Sequence, residues 1–278
     1  MDTMLAQRII TGIVGGAFTI FVIYEGNWLF FIMMVLLALI GWYEYTNMFS
    51  KLKADIADRT GAVWFIAFFA AYWFGSPRLM LFFSALMMAW LLLRIVIFHG
   101  KIKPLDSAYT LYGLVYISGG FLAMLALRTG ILASFFTNSF SKVMLEPAQF
   151  FVFLLIFSTW ASDTFAFAVG KLMGKVKLCP EISPGKTREG AWGGFIGTVL
   201  TALIFSLIFK YSILAAIAIG VIIGIMAPLG DLVESILKRT CQIKDSGNII
   251  PGHGGILDRF DSLLFAAPAM YLFLLLLS

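Results

Sequence analysis

Long apolar runs constrain this chain more than any other feature of its sequence. Nine candidate helices cover roughly residues 9–24, 28–49, 60–76, 79–98, 108–127, 148–170, 190–209, 211–231 and 260–278. Most of them approach the ~20 residues that a helix needs to cross a bilayer. Lipid offers no partners for backbone N–H and C=O groups, and the alternating pattern of a barrel strand is absent. The sequence therefore predicts an all-α, polytopic membrane bundle of about nine transmembrane helices.

The basic residues predict how this bundle is oriented. If the N-terminus is cytosolic, 16 of the 20 lysines and arginines fall on the cytosolic side, as the positive-inside rule requires. The other side holds only Arg78, Arg128, Lys142 and Lys210. The small net charge of +5 lies in loops, which indicates lipid headgroups or phosphate ligands. Nothing in the sequence resembles a nucleic-acid-binding module.

The chain divides into a scaffold and a region that carries the chemistry. Residues 1–131 are predicted to form scaffold helices, residues 132–147 an interfacial segment, and residues 148–278 a catalytic region with cytosolic loops at 171–189 and 232–259. Two glycine pairs spaced four apart, Gly12/Gly16 and Gly220/Gly224, favour close helix packing within the chain, and a homodimer stays open. The two cysteines form no disulfide framework.

The stretch 235–261 is unusually rich in charge for this chain. It contains four basic residues, three carboxylates and several glycines: Lys238, Arg239, Lys244 and Arg259; Asp245, Asp258 and Asp261; and Gly247, Gly252, Gly254 and Gly255. Basic side chains and exposed backbone N–H groups suit phosphate, and carboxylates suit a divalent cation such as Mg²⁺. A solvated cytosolic loop is the alternative, but the ordered spacing indicates phosphate chemistry.

Further carboxylates lie close to this stretch. If the eighth helix continues, Asp231, Glu234, Ser235 and Lys238 share one face, and Asp258 and Asp261 are spaced i, i+3 at the start of the ninth helix. The two carboxylate pairs can converge on one metal site. Asp163 lies well inside the sixth apolar run, where a carboxylate is costly and favours function over packing. Glu44, near the cytosolic end of the second run, more simply reaches water.

The loop 179–190 suggests a second phosphate contact. Gly185, Lys186 and Thr187 resemble the end of a P-loop, but the earlier glycine and the preceding strand are missing, so a Walker A motif is excluded. What remains is a turn with basic and hydroxyl side chains that leads into a helix N-terminus, which favours anions. From the residues alone, His253 is a loop hydrogen-bonding group rather than a ligand or base.

These residues together resemble the CDP-diacylglycerol synthases, also called phosphatidate cytidylyltransferases. The match comprises Ser235, Lys238-Arg239, Lys244-Asp245, Gly247, Pro251, His253-Gly254-Gly255, Asp258-Arg259 and Asp261, with Ser183-Pro184, Lys186-Thr187 and Glu189-Gly190 in the earlier loop. The run Ser-Asp-Thr-Phe-Ala-Phe around Asp163 is similar to that family's membrane-embedded motif. The resemblance covers about residues 160–261. Cys179 departs from it, because serine is expected before this proline.

The resemblance implies transfer of a cytidylyl group from CTP to phosphatidate, with Mg²⁺ and room for a second cation. It implies catalytic roles for Asp231, Asp258, Lys238, Arg239, Lys244 and Arg259; substrate contacts for Ser183, Lys186, Thr187, Glu189, Ser235, Asp245, His253, Gly254 and Gly255; and metal contacts for Asp231, Asp258, Asp261 and Asp163. The expected location is a bacterial inner membrane with the site facing the cytosol. A secondary transporter and a lipid-alcohol kinase or CDP-alcohol phosphotransferase are the alternatives.

Overall fold

The computed structural model describes residues 3–129, 145–249 and 254–277, with only the main chain for residues 3–11. Within these ranges the chain forms nine α-helices and one short hairpin. The helices are α1 Thr3–Glu25, α2 Asn27–Ser50, α3 Asp58–Trp73, α4 Pro77–Ile97, α5 Pro104–Thr129, α6 Pro147–Met173, α7 Arg188–Phe209, α8 Ile213–Thr240 and α9 Leu257–Leu277. The predicted all-α membrane bundle is confirmed, and the predicted interfacial segment lies largely outside the described residues.

Seven of the helices in the described ranges are long and apolar enough to cross a membrane, namely α2 and α4 to α9. Of the other two, α3 has 16 residues, which rise about 24 Å, and α1 has 23 residues, of which Gly12–Glu25 have described side chains and are apolar. Many large apolar side chains are exposed on the helices, as expected of surfaces that face lipid. The chain is an integral membrane protein.

The C-terminal helices α6 to α9 pack tightly because glycines let their backbones approach. A Cβ at Gly190 would lie 2.8 Å from the carbonyl oxygen of Ala166, and one at Gly193 would lie 2.6 Å from the side chain of Val169. The predicted packing of Gly220 and Gly224 within the chain is confirmed, since both face α7.

The same expectation finds no support at Gly12 and Gly16 of α1. A Cβ added at either would meet nothing within 4 Å in the described part of the chain. Spacing alone cannot tell a helix face that meets a neighbouring helix from one that meets lipid, since small side chains serve in both places. This part of α1 therefore presents its glycines outward.

The predicted cytosolic loops contain more structure than the sequence indicated. Between α6 and α7, strands β1 Lys177–Cys179 and β2 Ser183–Thr187 form an antiparallel hairpin with Lys177 opposite Thr187. The eighth helix continues to Thr240 instead of ending at residue 231, so the first nine residues of the predicted 232–259 loop are helical. Pro228 lies inside this helix. The Glu234–Lys238 ion pair stabilises the part of the helix that follows the proline.

Candidate active site

One face of the extended α8 carries the polar residues that the sequence grouped together. Ser235 Oγ donates to Asp231 Oδ1 at 3.3 Å, and Lys238 forms an ion pair with Glu234 one turn earlier. Glu234 is buried, with 1% of its surface exposed, so its charge depends on Lys238 for compensation. The predicted sharing of one helical face by Asp231, Glu234, Ser235 and Lys238 is confirmed.

Asp258, at the start of α9, is held by four contacts. Its Oδ1 lies 2.7 Å from Lys238 Nζ, which connects it to α8. Its Oδ2 accepts hydrogen bonds from Ser246 N, Ser246 Oγ and Gly255 N, each at 2.9 Å. Both oxygens are therefore engaged by the chain itself, and a metal at Asp258 would have to share or replace these partners. Its role as a metal ligand stays a prediction.

The hairpin brings the second predicted loop against α8. Lys186 Nζ lies 2.7 Å from Asp231 Oδ2 in an ion pair that lacks hydrogen-bond geometry. Thr187 caps α7, because its Oγ1 accepts from Gly190 N at 3.1 Å. The Glu189 carboxylate accepts from Val176 N at 3.3 Å and closes the base of the hairpin. Lys186 thus points to the carboxylates, whereas Thr187 and Glu189 hold the loop in place.

A cavity of about 510 Å³ lies between α6, α7, α8 and the hairpin. Its polar lining includes Asp163, Ser183, Lys186, Thr187 and Asp231. Asp163 opens into this cavity, which explains why its side chain is accessible although it lies within a membrane helix. Apolar side chains line the remaining walls: Ala166, Phe167, Leu178, Ala191 and Pro228. The cavity can therefore hold a ligand that has both an anionic group and an apolar part.

Two carboxylates (Asp163 and Asp231) and two lysines (Lys171 and Lys186) line the cavity, but carboxylates outnumber basic groups in the electrostatic network to which Asp163 and Asp231 belong. Five carboxylates (Asp163, Asp231, Glu234, Asp258 and Asp261) interact electrostatically with three basic side chains (Lys186, Lys238 and Arg259). With all of them ionised, the formal charge is −2. No three carboxylate, histidine or cysteine residues of the described ranges form a ready metal cluster. Mg²⁺ commonly takes only one or two carboxylates and completes its shell with phosphates and water, so this donor set fits it.

Other predicted residues lie away from the cavity. Lys244 and Asp245 are exposed, and Arg239 Nη1 donates to the backbone oxygen of Ile243 at 3.2 Å. Gly254 has φ +82°, a conformation that favours glycine, and a Cβ there would lie 2.9 Å from Asp258 Oδ2. His253 lies outside the described residues. The roles proposed for these residues stay predictions.

The prediction that Glu44 of α2 reaches water is wrong. It is buried, with 2% of its surface exposed, and does not reach water. Its Oε1 accepts from Ile256 N and its Oε2 from Leu257 N, both at 2.9 Å, and Ser246 Oγ lies 3.3 Å from Oε2. Sequence spacing gave no signal for this contact, because the partners are 212 and 213 residues away in the chain.

The two cysteines lie at the edge of these elements. Cys179 ends β1 opposite Ser183, and nothing in its contacts explains the departure from serine. Cys241 follows α8 and is buried, which raises the pKa of its thiol. A buried thiol with a raised pKa is a poor nucleophile, so Cys241 has no part in the chemistry of the cavity.

Comparison with known proteins shows similarity over nearly the whole chain. A model of the cytidylyltransferase family matches residues 6–277. The chain is 32% identical to "Phosphatidate cytidylyltransferase" of Bacillus subtilis (strain 168) over 285 residues, covering 99% of both chains. It is 34% identical to the protein of the same name from Synechocystis sp. (strain ATCC 27184 / PCC 6803 / Kazusa), covering 99% of this chain and 98% of that one. The similarity extends beyond the signature stretch to the scaffold helices.

Proposed function

The chain belongs to the cytidylyltransferase family, and from this we propose that it transfers the cytidylyl group of CTP to phosphatidate, forming CDP-diacylglycerol and pyrophosphate. One observation carries the assignment to this site. The hairpin and the face of α8 meet in the Lys186–Asp231 ion pair, at a cavity that both polar and apolar side chains line. Such a cavity suits nucleotide phosphates together with a lipid substrate.

The chemistry requires two anions to approach each other. A phosphate monoester has a second pKa near ~6, so the phosphatidate phosphate is largely ionised at neutral pH and needs no strong general base. One of its oxygens attacks the α-phosphorus of CTP, a new P–O bond forms, and the bond to the leaving pyrophosphate breaks. Lys186 lies at the cavity, where its positive charge can offset the negative charge that develops on the phosphates. The positive charge of Lys238 offsets the negative charges of Asp258 and Glu234.

We assign the metal site to Asp231, with Asp163, Asp261 and Asp258 beside it. The surplus of carboxylates in the electrostatic network of Asp163 and Asp231 supports this assignment. Bound Mg²⁺ would neutralise phosphate charge and would orient the two substrates. Lys186 Nζ lies beside Asp231, so a cation held by Asp231 and phosphates held by Lys186 would be neighbours.

The apolar wall of the cavity gives phosphatidate a path from the bilayer. Phe167 lines the cavity and has 71% of its surface exposed, and Trp192 nearby on α7 is 66% exposed. Large apolar side chains exposed on membrane helices are expected to face lipid. We propose that the acyl chains enter from the bilayer past the exposed Phe167 of α6 while the phosphate reaches Lys186. We place the protein in a bacterial inner membrane with this cavity on the cytosolic side. A homodimer stays a prediction, which a measurement of the molar mass in detergent by light scattering would test.

The proposal is tested by pyrophosphate release from purified protein. Phosphatidate and Mg²⁺ are supplied with each nucleoside triphosphate in turn, and release is expected with CTP and not with ATP or GTP. Radiolabel from the CTP base should appear in the lipid fraction, whereas label from the γ-phosphate should not. Label from the γ-phosphate in lipid would instead identify a lipid kinase, and no turnover with any nucleotide would contradict the assignment.

A further inference from the structure

Glu44 connects the N-terminal scaffold to the start of the helix that carries Asp258. Its two carboxylate oxygens each accept one backbone N–H at the start of α9, from Ile256, which precedes the helix, and from Leu257, its first residue. The first N–H groups of a helix have no partner within it, and an anion there is also favoured by the helix dipole. Glu44 therefore acts as a cap supplied by a distant segment of the chain.

Ser246 joins this cap to the polar cluster. Its Oγ lies 3.3 Å from Glu44 Oε2 and 2.9 Å from Asp258 Oδ2, and its backbone N–H also donates to Asp258. Asp258 in turn holds Lys238. A continuous set of contacts thus runs from Glu44 to the polar face of α8.

Two glycines of the signature stretch fit closely around the Glu44 carboxylate. A Cβ at Gly247 would lie 2.7 Å from Glu44 Oε1, and its three nearest neighbours would all be Glu44 side-chain atoms. A Cβ at Gly255 would lie 2.6 Å from Glu44 Oε2 and 2.2 Å from Ser246 Oγ. These glycines make room for Glu44, whereas the sequence suggested that they approach a phosphate.

We propose that Glu44 is a positioning residue for the transfer reaction: it fixes the backbone around Gly247 and Gly255 and the start of α9, so that Asp258 and Lys238 keep their geometry. The proposal rests on the cytidylyl transfer proposed above. Glu44 does not line the cavity and so acts through Asp258 rather than on a substrate.

Glu44→Gln keeps the shape of the side chain but removes its negative charge and one of its two acceptor oxygens. The amide has one acceptor oxygen, so one of the two backbone N–H groups would face an NH₂ group. Loss of a hydrogen bond to a charged group should lower kcat roughly ten- to a hundredfold, with the KM for CTP changed less than about threefold, because Lys186 is untouched. Glu25→Gln, at an exposed position of α1, is the matched control and should leave both constants unchanged. A purely structural role would reduce the folded fraction and leave kcat per folded molecule unchanged.

A double-mutant cycle tests the fit between Glu44 and Gly247. Gly247→Ala alone should lower kcat roughly tenfold, because its Cβ meets the carboxylate. In a Glu44→Ala background the same change should cost nothing further, since the clashing atoms are gone. Losses that simply multiply would overturn the proposal, as would a Glu44→Gln enzyme with unchanged kcat.

Hydrogen exchange separates this proposal from the proposed reaction. In Glu44→Gln, the amides of Ile256 and Leu257 should exchange at least tenfold faster, while those of the hairpin 177–187 should keep their rates. This measurement needs no substrate. If the wild-type protein showed no transfer from CTP, the reaction would be contradicted, and the exchange result would still decide whether Glu44 holds α9. If both amides exchange at the same rate in Glu44→Gln as in the wild-type protein, Glu44 is not a positioning residue.

Discussion

Lys186 Nζ lies 2.7 Å from Asp231 Oδ2, and this ion pair joins the hairpin to α8 at the cavity. The side chains are 25% and 33% exposed, so the pair is partly solvated and can open when a ligand enters. A cationic side chain that has an anionic partner in the free protein can exchange that partner for a phosphate without being left unpaired. The pair therefore suits a site that alternates between empty and phosphate-bound states.

Lys186→Ala should weaken both binding and turnover. It removes a charge-assisted contact to the phosphates and also leaves Asp231 without its ammonium partner, which repels CTP. We expect a higher KM for CTP and a lower kcat, since part of the contact strengthens only as charge moves to pyrophosphate. The loss should be about 1.5–3 kcal/mol, or roughly ten- to a hundredfold in kcat/KM.

Steady-state kinetics with CTP varied at saturating phosphatidate measure this effect. Lys177→Ala is the matched control, because Lys177 is exposed on the other strand of the same hairpin. If KM and kcat are unchanged in Lys186→Ala, the lysine contributes only to the orientation of the protein in the membrane. An equal loss in both variants would point to a general effect of hairpin charge.

Asp231→Asn and Asp258→Asn should both abolish turnover but should differ in stability. Asp231 is partly exposed at the cavity, so its loss should leave the thermal midpoint nearly unchanged and raise the Mg²⁺ concentration needed for any residual activity. Asp258 is 7% exposed and pairs with Lys238, so weakening that contact should destabilise the protein by about 1.5–3 kcal/mol, because Lys238 keeps Glu234 as its partner.

Thermal unfolding in detergent and a Mg²⁺ titration of pyrophosphate release distinguish the two variants. Glu181→Gln, an exposed change in the hairpin turn, should alter neither measurement. Wild-type activity of Asp231→Asn at limiting Mg²⁺ would remove this residue from the metal site. A stable Asp258→Asn protein would show that its four contacts contribute little to folding.

The helices and the polar face of α8 could be predicted because both depend on local spacing. Apolar runs of the right length identify helices, and Asp231, Ser235 and Lys238 share a face by periodicity alone. The boundary at residue 231 was wrong because the end of the apolar run is not the end of the helix: the Glu234–Lys238 ion pair supports a further two turns in a polar environment.

The hairpin and Glu44 could not be predicted for different reasons. Strand β2 contains Pro184 and Gly185, which are unfavourable in strands, and it is held by Arg188 N donating to Val176 O and by Glu189. Glu44 depends on partners more than 200 residues away, and a single sequence carries no signal for such a contact. A membrane carboxylate was therefore attributed to water when its partners were backbone N–H groups.

Two glycine-to-alanine changes should have opposite effects on stability. In Gly193→Ala the new Cβ would lie 2.6 Å from Val169, so α6 and α7 must separate, at a cost of about 1–3 kcal/mol. In Gly119→Ala, on α5, nothing lies within 4 Å in the described ranges, and the better helix propensity should stabilise by up to about 1 kcal/mol. Thermal midpoints in the same detergent compare them, and equal shifts would contradict the close α6–α7 packing.

The last prediction concerns the side of the membrane that the cavity faces. Lys175 lies between α6 and the hairpin, and Lys210 lies in the short turn between α7 and α8, so the whole length of α7 separates them. The excess of basic residues on the side of Lys175 predicts that this side is cytosolic. In a protein without Cys179 and Cys241, Lys175→Cys should react with a membrane-impermeant thiol reagent only in inverted vesicles or opened cells. Lys210→Cys should react in intact cells whose outer barrier is permeable to the reagent. Labelling of both positions from the same side would show that α7 does not cross the membrane, and exchange of the two patterns would place the cavity on the outside, away from the cell's CTP.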